Sequence, residues 1–155
     1  MATIAACSAG CVAVVSGSDK RGVACWGKND DGQGTVPYFE DFIAVSAGYD
    51  HTCGLKVDGE AMCWGNPAST ATPPPAGPFV TISAGRGETC ALRPNGRLAC
   101  WGGALAAATP TGEFLSVSLA AGRACGIRGD GSLQCWQAAG VARLGSEPSG
   151  RFLAL

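Results

Sequence analysis

The sequence predicts an all-β fold built from four copies of one short antiparallel unit, and three observations predict it. A cysteine is followed ten residues later by Cys-Trp at Cys53 to Cys63-Trp64, Cys90 to Cys100-Trp101 and Cys125 to Cys135-Trp136. Trp26, Trp64, Trp101 and Trp136 recur at a period of 37 or 38 residues, trimmed to 35 in the last step. Each step holds a β-type apolar run and a glycine-bearing turn, while the Gly/Pro/Ala-rich connectors after Trp lack helical periodicity. The repeats run approximately 4–41, 42–78, 79–113 and 114–151, and 152–155 opens a fifth.

Each unit opens on an aromatic-aliphatic strand: Phe42-Ile43-Ala44-Val45, Phe79-Val80-Thr81-Ile82 and Phe114-Leu115-Ser116-Val117. Small residues follow, as Ser46-Ala47-Gly48, Ser83-Ala84-Gly85 and Ala120-Ala121-Gly122. The first unit opens with Ile4-Ala5-Ala6-Cys7 before Ser8-Ala9-Gly10. This alignment puts Cys7, the odd one of nine cysteines, at the position of Val45 and Ile82. It is therefore read as unpaired, a small buried hydrophobe or a half-cystine whose partner lies elsewhere.

The hairpin within each unit follows from arithmetic. Cysteines ten apart face each other directly only if the loop has three residues, here Val57-Asp58-Gly59, Pro94-Asn95-Gly96 and Gly129-Asp130-Gly131. Such a loop wants φ above zero at its third residue, where Gly59, Gly96 and Gly131 stand. Counting back from the turn puts each cysteine pair on a non-hydrogen-bonded rung, with Cα atoms roughly 4.5 Å apart, so a bridge is feasible without moving the backbone. The next rung on that face is Leu55 with Ala61, Leu92 with Leu98 or Ile127 with Leu133, so the bridge-bearing face is apolar and suited to stacking on a neighbour. In the first unit Cys11 and Cys25 keep the plan, and Ser16 to Gly22 reads as a loop inserted at the tip. The recurring tryptophans read as packing between units.

Composition narrows the function. Charged residues are 15% and the net charge is -1, so no basic footprint for phosphates exists and nucleic acid is not expected as a partner. Eight cysteines pairable within local hairpins point to an oxidising compartment rather than reduced thiols. Structural zinc uses cysteine couples two to four residues apart, a spacing that does not recur, and CxxC is absent. The apolar start is in register with the repeat and has no basic region, so it reads as repeat rather than signal peptide. No run has the roughly twenty apolar residues of a membrane helix. Four hairpins against five opening strands predict a segment of a longer array.

Chemistry-bearing residues are few. His51 is the single histidine, with Glu88 at the same repeat position, and no nucleophile pattern accompanies it, so a structural hydrogen bond is expected and no catalytic residue. Asn29-Asp30-Asp31-Gly32 lacks the later bidentate carboxylate of a calcium loop and reads as a tight turn, leaving no metal and no cofactor expected. Gly85-Arg86-Gly87 is too short for a phosphate cradle. The Pro73 to Pro78 tract serves as a connector.

Ala47-Gly48-Tyr49-Asp50-His51-Thr52-Cys53-Gly54-Leu55-Lys56-Val57-Asp58-Gly59-Glu60-Ala61-Met62-Cys63-Trp64-Gly65 resembles a repeat of the regulator-of-chromosome-condensation superfamily, and Cys25-Trp26-Gly27-Lys28-Asn29-Asp30-Asp31-Gly32-Gln33-Gly34 resembles its Trp-Gly-x-Asn-x-x-Gly-Gln element. The cysteine-bearing, short-period version is similar to the ectodomain repeats of plant crinkly-type receptor-like serine/threonine kinases. Secreted bacterial propellers of the superfamily, including a β-lactamase inhibitor, look related. The glutamine element is missing after Trp64 and Trp101, and Gln137 replaces the glycine after Trp136. The resemblance implies a β-propeller, four short-period blades of a larger, seven-bladed ring. It implies an extracellular or cell-surface module that recognises a peptide or protein, in a parent anchored by a membrane helix and carrying a kinase elsewhere. A secreted propeller that binds or inhibits an enzyme is the second implication, and a nuclear exchange factor the third. No kinase motif lies within the chain, so the segment itself is not expected to be an enzyme.

Overall fold

A computed structural model describes residues 3–5, 9–16, 20–37, 41–69, 73–140 and 150–152, with side chains from Val23 onward. It contains four three-stranded antiparallel sheets, each made of strands consecutive in the chain. They are β1 (Thr3–Ala5), β2 (Ala9–Ser16) and β3 (Lys20–Gly27); β4 (Phe42–Ala47), β5 (His51–Lys56) and β6 (Ala61–Gly65); β7 (Thr81–Ala84), β8 (Glu88–Leu92) and β9 (Leu98–Gly102); β10 (Phe114–Ala120), β11 (Arg123–Arg128) and β12 (Leu133–Gln137). The opening strands β4, β7 and β10 contact one another in sequence, so the sheets fan out as blades from a shared inner side. The chain is an all-β propeller segment.

Within each hairpin the cysteines are direct cross-strand partners, Cys53 with Cys63, Cys90 with Cys100 and Cys125 with Cys135. The Lys56 N–H donates to the Glu60 carbonyl at 2.9 Å, so residues 57–59 form the tip and the cysteines fall on a non-hydrogen-bonded rung. The Cα atoms of each bonded pair lie 4.0 Å apart. Gly59, Gly96 and Gly131 have φ of 84°, 76° and 85°, a region closed to most side chains. The middle tip residue is a local acceptor: Asp58, Asn95 and Asp130 take the N–H of Glu60, Arg97 and Ser132. In the first sheet Cys25 is disulfide-bonded, and its backbone partner across the ladder is Cys11.

The register corrects the alignment in three places. Val14, Val15 and Ser16 pair with Gly22, Arg21 and Lys20, so the insertion at the first tip prolongs the ladder instead of forming a seven-residue loop. The constant-sum rule that fixes the other tips holds here too, and β-branched Val12, Val14 and Val15 favour extension. Ile4 pairs with Val12 as Val45 pairs with Gly54, so Ile4 and not Cys7 takes the Val45 position. Ala9 and Gly10 lie in β2 opposite Gly27 and Trp26, the places of His51 and Thr52 in the second sheet. Cys7 itself lies outside the described residues. In the last unit Ser118 pairs with Cys125 as Ser46 pairs with Cys53 and Ser83 with Cys90. Ala120-Ala121-Gly122 is therefore shifted by two from Ser83-Ala84-Gly85, the small residues having suggested the wrong match.

Two features had no sequence signal strong enough to read. Register shifts at Phe42/Ala44 and Phe114/Ser116 leave Ile43 and Leu115 as bulge residues, both exposed. One connector, Ala104–Ala108, is a 3₁₀ turn whose Leu105 is fully buried. Alanine pays little side-chain entropy there, and Leu105 anchors the turn between two sheets.

Each seam between sheets has its own apolar core. Cys53, Leu55, Phe79, Ile82, Ala91 and Trp101 join the second sheet to the third. Cys90, Leu92, Leu105, Phe114, Val117 and Trp136 join the third to the fourth. Trp64 packs with Phe42, Val45, Val23 and Cys25 between the first and second. A half-cystine of one blade thus meets the Phe and Trp of the next. Trp26 departs from this packing and is 55% exposed, because the described residues hold no sheet on the side of β3 where the other tryptophans meet a predecessor.

Polar bonds repeat across the seams. Gly59, Gly96 and Gly131 carbonyls accept the N–H of Phe79, Phe114 and Phe152, tying each tip to the next opening residue. Ser46 and Ser83 hydroxyls accept the N–H of Ala84 and Leu119, both at 3.0 Å. No helix among the described residues is long and apolar enough to cross a membrane.

Candidate functional site

The fan has two faces. One carries the hairpin tips. The other carries the two-residue turns that join opening and middle strands, Tyr49-Asp50, Arg86-Gly87 and Ala121-Gly122.

These turns sit close because glycine lets backbone meet backbone. A Cβ on Gly48 would lie 2.4 Å from the Gly85 carbonyl oxygen, and one on Gly85 would lie 3.1 Å from that of Ala120. The Tyr49 N–H donates to Gly85 O at 3.0 Å, fixing the tyrosine turn on its neighbour. A groove of about 450 Å³ opens there, floored by Ala84, Gly85, Leu119, Ala120 and Ala121 and flanked by Tyr49 and Arg86. That volume is in the range of small-ligand and side-chain pockets. Tyr49 is 49% exposed. Its ring lies 5.6 Å from the Lys28 ammonium and 5.3 Å from the Arg86 guanidinium. Lys28 also faces Asp30 at 3.6 Å.

A second groove, about 560 Å³, lies on the tip face among Val80, Pro94, Glu113 and Leu115. Its lining cation, Arg93, belongs to the frame, as does Arg128 of the next blade. Arg93 stacks 4.8 Å from the Phe79 ring and donates to Gly77 O at 3.4 Å, and Arg128 stacks 4.9 Å from Phe114. In the turn-face groove the cation, Arg86, lies instead beside the half-exposed Tyr49 ring.

Beneath the turn face each seam is plugged differently. At the first, Gln33 is fully buried, and its carbonyl accepts from Thr52 Oγ1 at 2.8 Å and Trp64 Nε1 at 3.0 Å. At the second, His51 Nε2 meets Thr89 Oγ1 at 2.9 Å, and Thr89 Oγ1 meets Cys53 Sγ at 3.3 Å. His51 Nδ1 stands 3.5 Å from Asp50 Oδ1. At the third, Leu105 fills the space beside Ala124, Ala138 and Trp136, and Trp136 Nε1 finds no partner. Gln33 was visible in the sequence as a motif residue but not as a plug. Its replacement by Leu105 follows from the missing glutamine element after Trp101.

The order Asp50, His51, Thr89 is that of an acid, an imidazole and a hydroxyl, yet it holds structure rather than chemistry. His51 is 1% and Thr89 2% exposed, so no substrate reaches the hydroxyl. Burial holds the imidazole below its ordinary pKa, against the opposing hydrogen bond and charge of Asp50 and the charge of Glu88. Glu88 in turn caps the next turn, its carboxylate accepting from the Arg86 and Gly87 N–H groups.

The Asn29 to Gly32 loop is a turn closed by its own donors. Asn29 Oδ1 accepts from Gly34 N at 2.7 Å, and Asp31 Oδ1 accepts from Asn66 Nδ2 at 3.1 Å. Among the described residues no three His, Cys, Asp or Glu side chains cluster as a metal would need.

Residues 42–69 match the family model for the regulator of chromosome condensation (RCC1) repeat. That span falls on the second blade. The chain is similar to solved propellers along most of its length. Against the ectodomain of the Physcomitrella patens receptor kinase CR4 it is 27% identical, with 89% of this chain and 38% of that one covered and a TM-score of 0.74. Against the CRINKLY WD40 ectodomain of the Arabidopsis thaliana receptor kinase ACR4 it is 23% identical, covering 86% and 48%, with a TM-score of 0.70. Against Prp20p of Saccharomyces cerevisiae, studied for its binding to Gsp1p and histones, it is 12% identical, covering 87% and 44%, with a TM-score of 0.67. The last two likenesses show the propeller fold alone. The chain spans less than half the length of each of these three proteins. No curated protein sequence matches it.

Proposed function

We propose that this chain is the propeller portion of an extracellular or cell-surface module that recognises a peptide or protein, of the kind found in crinkly-type receptor-like serine/threonine kinases. Its four sheets serve as blades of a larger, seven-bladed ring, and the parent protein is membrane-anchored with its kinase outside this chain. The module itself is a binding element without catalysis. The disulfide on each blade from the second to the fourth carries the reading, since such bridges persist in oxidising compartments and are wasted in reduced ones. The likeness to the CR4 ectodomain supports it. The turn face is the recognition surface, because the repeated Phe, Trp and half-cystine positions hold the blades while the turn residues differ from blade to blade.

The test is alkylation of the protein isolated from its native source without reductant. Eight paired cysteines of nine leave one reactive thiol, which supports export. Nine reactive thiols overturn it and favour the nuclear exchange-factor reading.

A further inference from the structure

We propose that the turn-face groove takes an acidic side chain of a bound peptide, with Arg86 as its anchor and the Leu119 to Ala121 floor receiving the apolar residue that follows. The proposal rests on the reading of this face as a recognition surface and names the chemistry of what it recognises.

Three observations converge on Arg86. It sits on an exposed turn, and no carboxylate of a described residue lies within ion-pair distance of its guanidinium. Its guanidinium carbon stands 5.3 Å from the centroid of the Tyr49 ring, a cation–π distance. That contact satisfies none of its N–H donors with an oxygen, and such donors bind a carboxylate through two parallel hydrogen bonds. The backbone N–H groups of Arg86 and Gly87 are already taken by Glu88, which holds the turn and so pre-orients the side chain. Lys28, its ammonium 5.6 Å from the same ring, faces Asp30 at 3.6 Å, so Arg86 is the cation left for the ligand.

The rest of the groove suits the residue beside the acid. Leu119, Ala120 and Ala121 line it with small apolar surface, and Tyr49 closes one wall with a half-exposed ring. An aliphatic side chain would gain by burying apolar surface against them. In the tip-face groove the lining cation, Arg93, lies over the Phe79 ring and donates to Gly77 O.

The experiment uses the full 155-residue chain, labelled with nitrogen-15, and two synthetic probes: acetyl-Gly-Glu-Leu-Gly-amide and its Gln counterpart. The Glu probe is expected to shift the amides of Gly85, Arg86 and Ala120, and the Gln probe to bind about tenfold more weakly. Arg86→Gln should erase that difference while leaving amides elsewhere in place, and Tyr49→Leu should weaken both probes. Equal shifts by both probes at the groove would overturn the acidic preference and leave the recognition face standing. Shifts confined to Val80 and Leu115 on the tip face would overturn both.

Discussion

Phe42 lies flat on the bare Cα of Gly54, so that a Cβ built there would sit 2.4 Å from Phe42 Cδ1. Phe114 does the same over Gly126, with 2.6 Å to its Cδ1. Each ring thereby reaches its own Trp, with centroids 5.3 Å apart for Phe42 and Trp64 and 6.0 Å for Phe114 and Trp136. Both phenylalanines are 1% exposed and cannot swing away. Gly54→Ala should therefore cost about 1–3 kcal/mol, the usual range for overpacking, read as a lowered urea midpoint. The third blade has Ala91 at this position, and Ala91→Gly should cost no more than about 1 kcal/mol.

The hairpins were legible because tip glycines and cysteine spacing obey a counting rule, and a strand pair leaves that rule little freedom. The match of the small residues that end the opening strands was not, since Ser-Ala-Gly and Ala-Ala-Gly look alike while differing in register by two. Small residues carry little pattern information. The bulges at Ile43 and Leu115 escaped notice because they interrupt strict alternation at one residue only. The groove depends on Tyr49 and Arg86, 37 positions apart in sequence and joined only through the Gly48 to Gly85 approach, which no local pattern reveals. The serine bridges from Ser46 and Ser83 were within reach, for each precedes a small residue at the same repeat position.

His51 makes the fold sensitive to mild acid. Burial lowers its native pKa below the ordinary 6.5, so the unfolded chain takes up the proton first as pH falls. The stability contribution is fully present above that value and is lost as pH drops through it toward the native pKa. Urea midpoints should be flat from about pH 7 to 8 and fall as pH drops below about 6.5. His51→Gln should flatten the fall, and an unchanged slope would refute the assignment.

The first seam depends on one hydroxyl. Thr52→Val removes the donor to the buried Gln33 carbonyl while keeping shape, and should cost about 1 kcal/mol. Amide exchange should speed up in residues 31–35 and in β6, with β11 and β12 unaffected.

Removing one bridge should act locally. A loop of about ten residues closed by a disulfide contributes roughly 2–3 kcal/mol in the chain-entropy model. The double change Cys90→Ala with Cys100→Ala should therefore lower protection in β7 to β9 and in the flanking sheets more than in β2 and β3, as nearest-neighbour stacking requires. Equal loss in all four sheets would show a single cooperative unit instead.

Peptide mapping without reduction tests the central claim, that each blade is an antiparallel hairpin pinned within itself. The account predicts cross-linked fragments joining Cys53 to Cys63, Cys90 to Cys100 and Cys125 to Cys135. A bond between blades, such as Cys63 to Cys90, would contradict it.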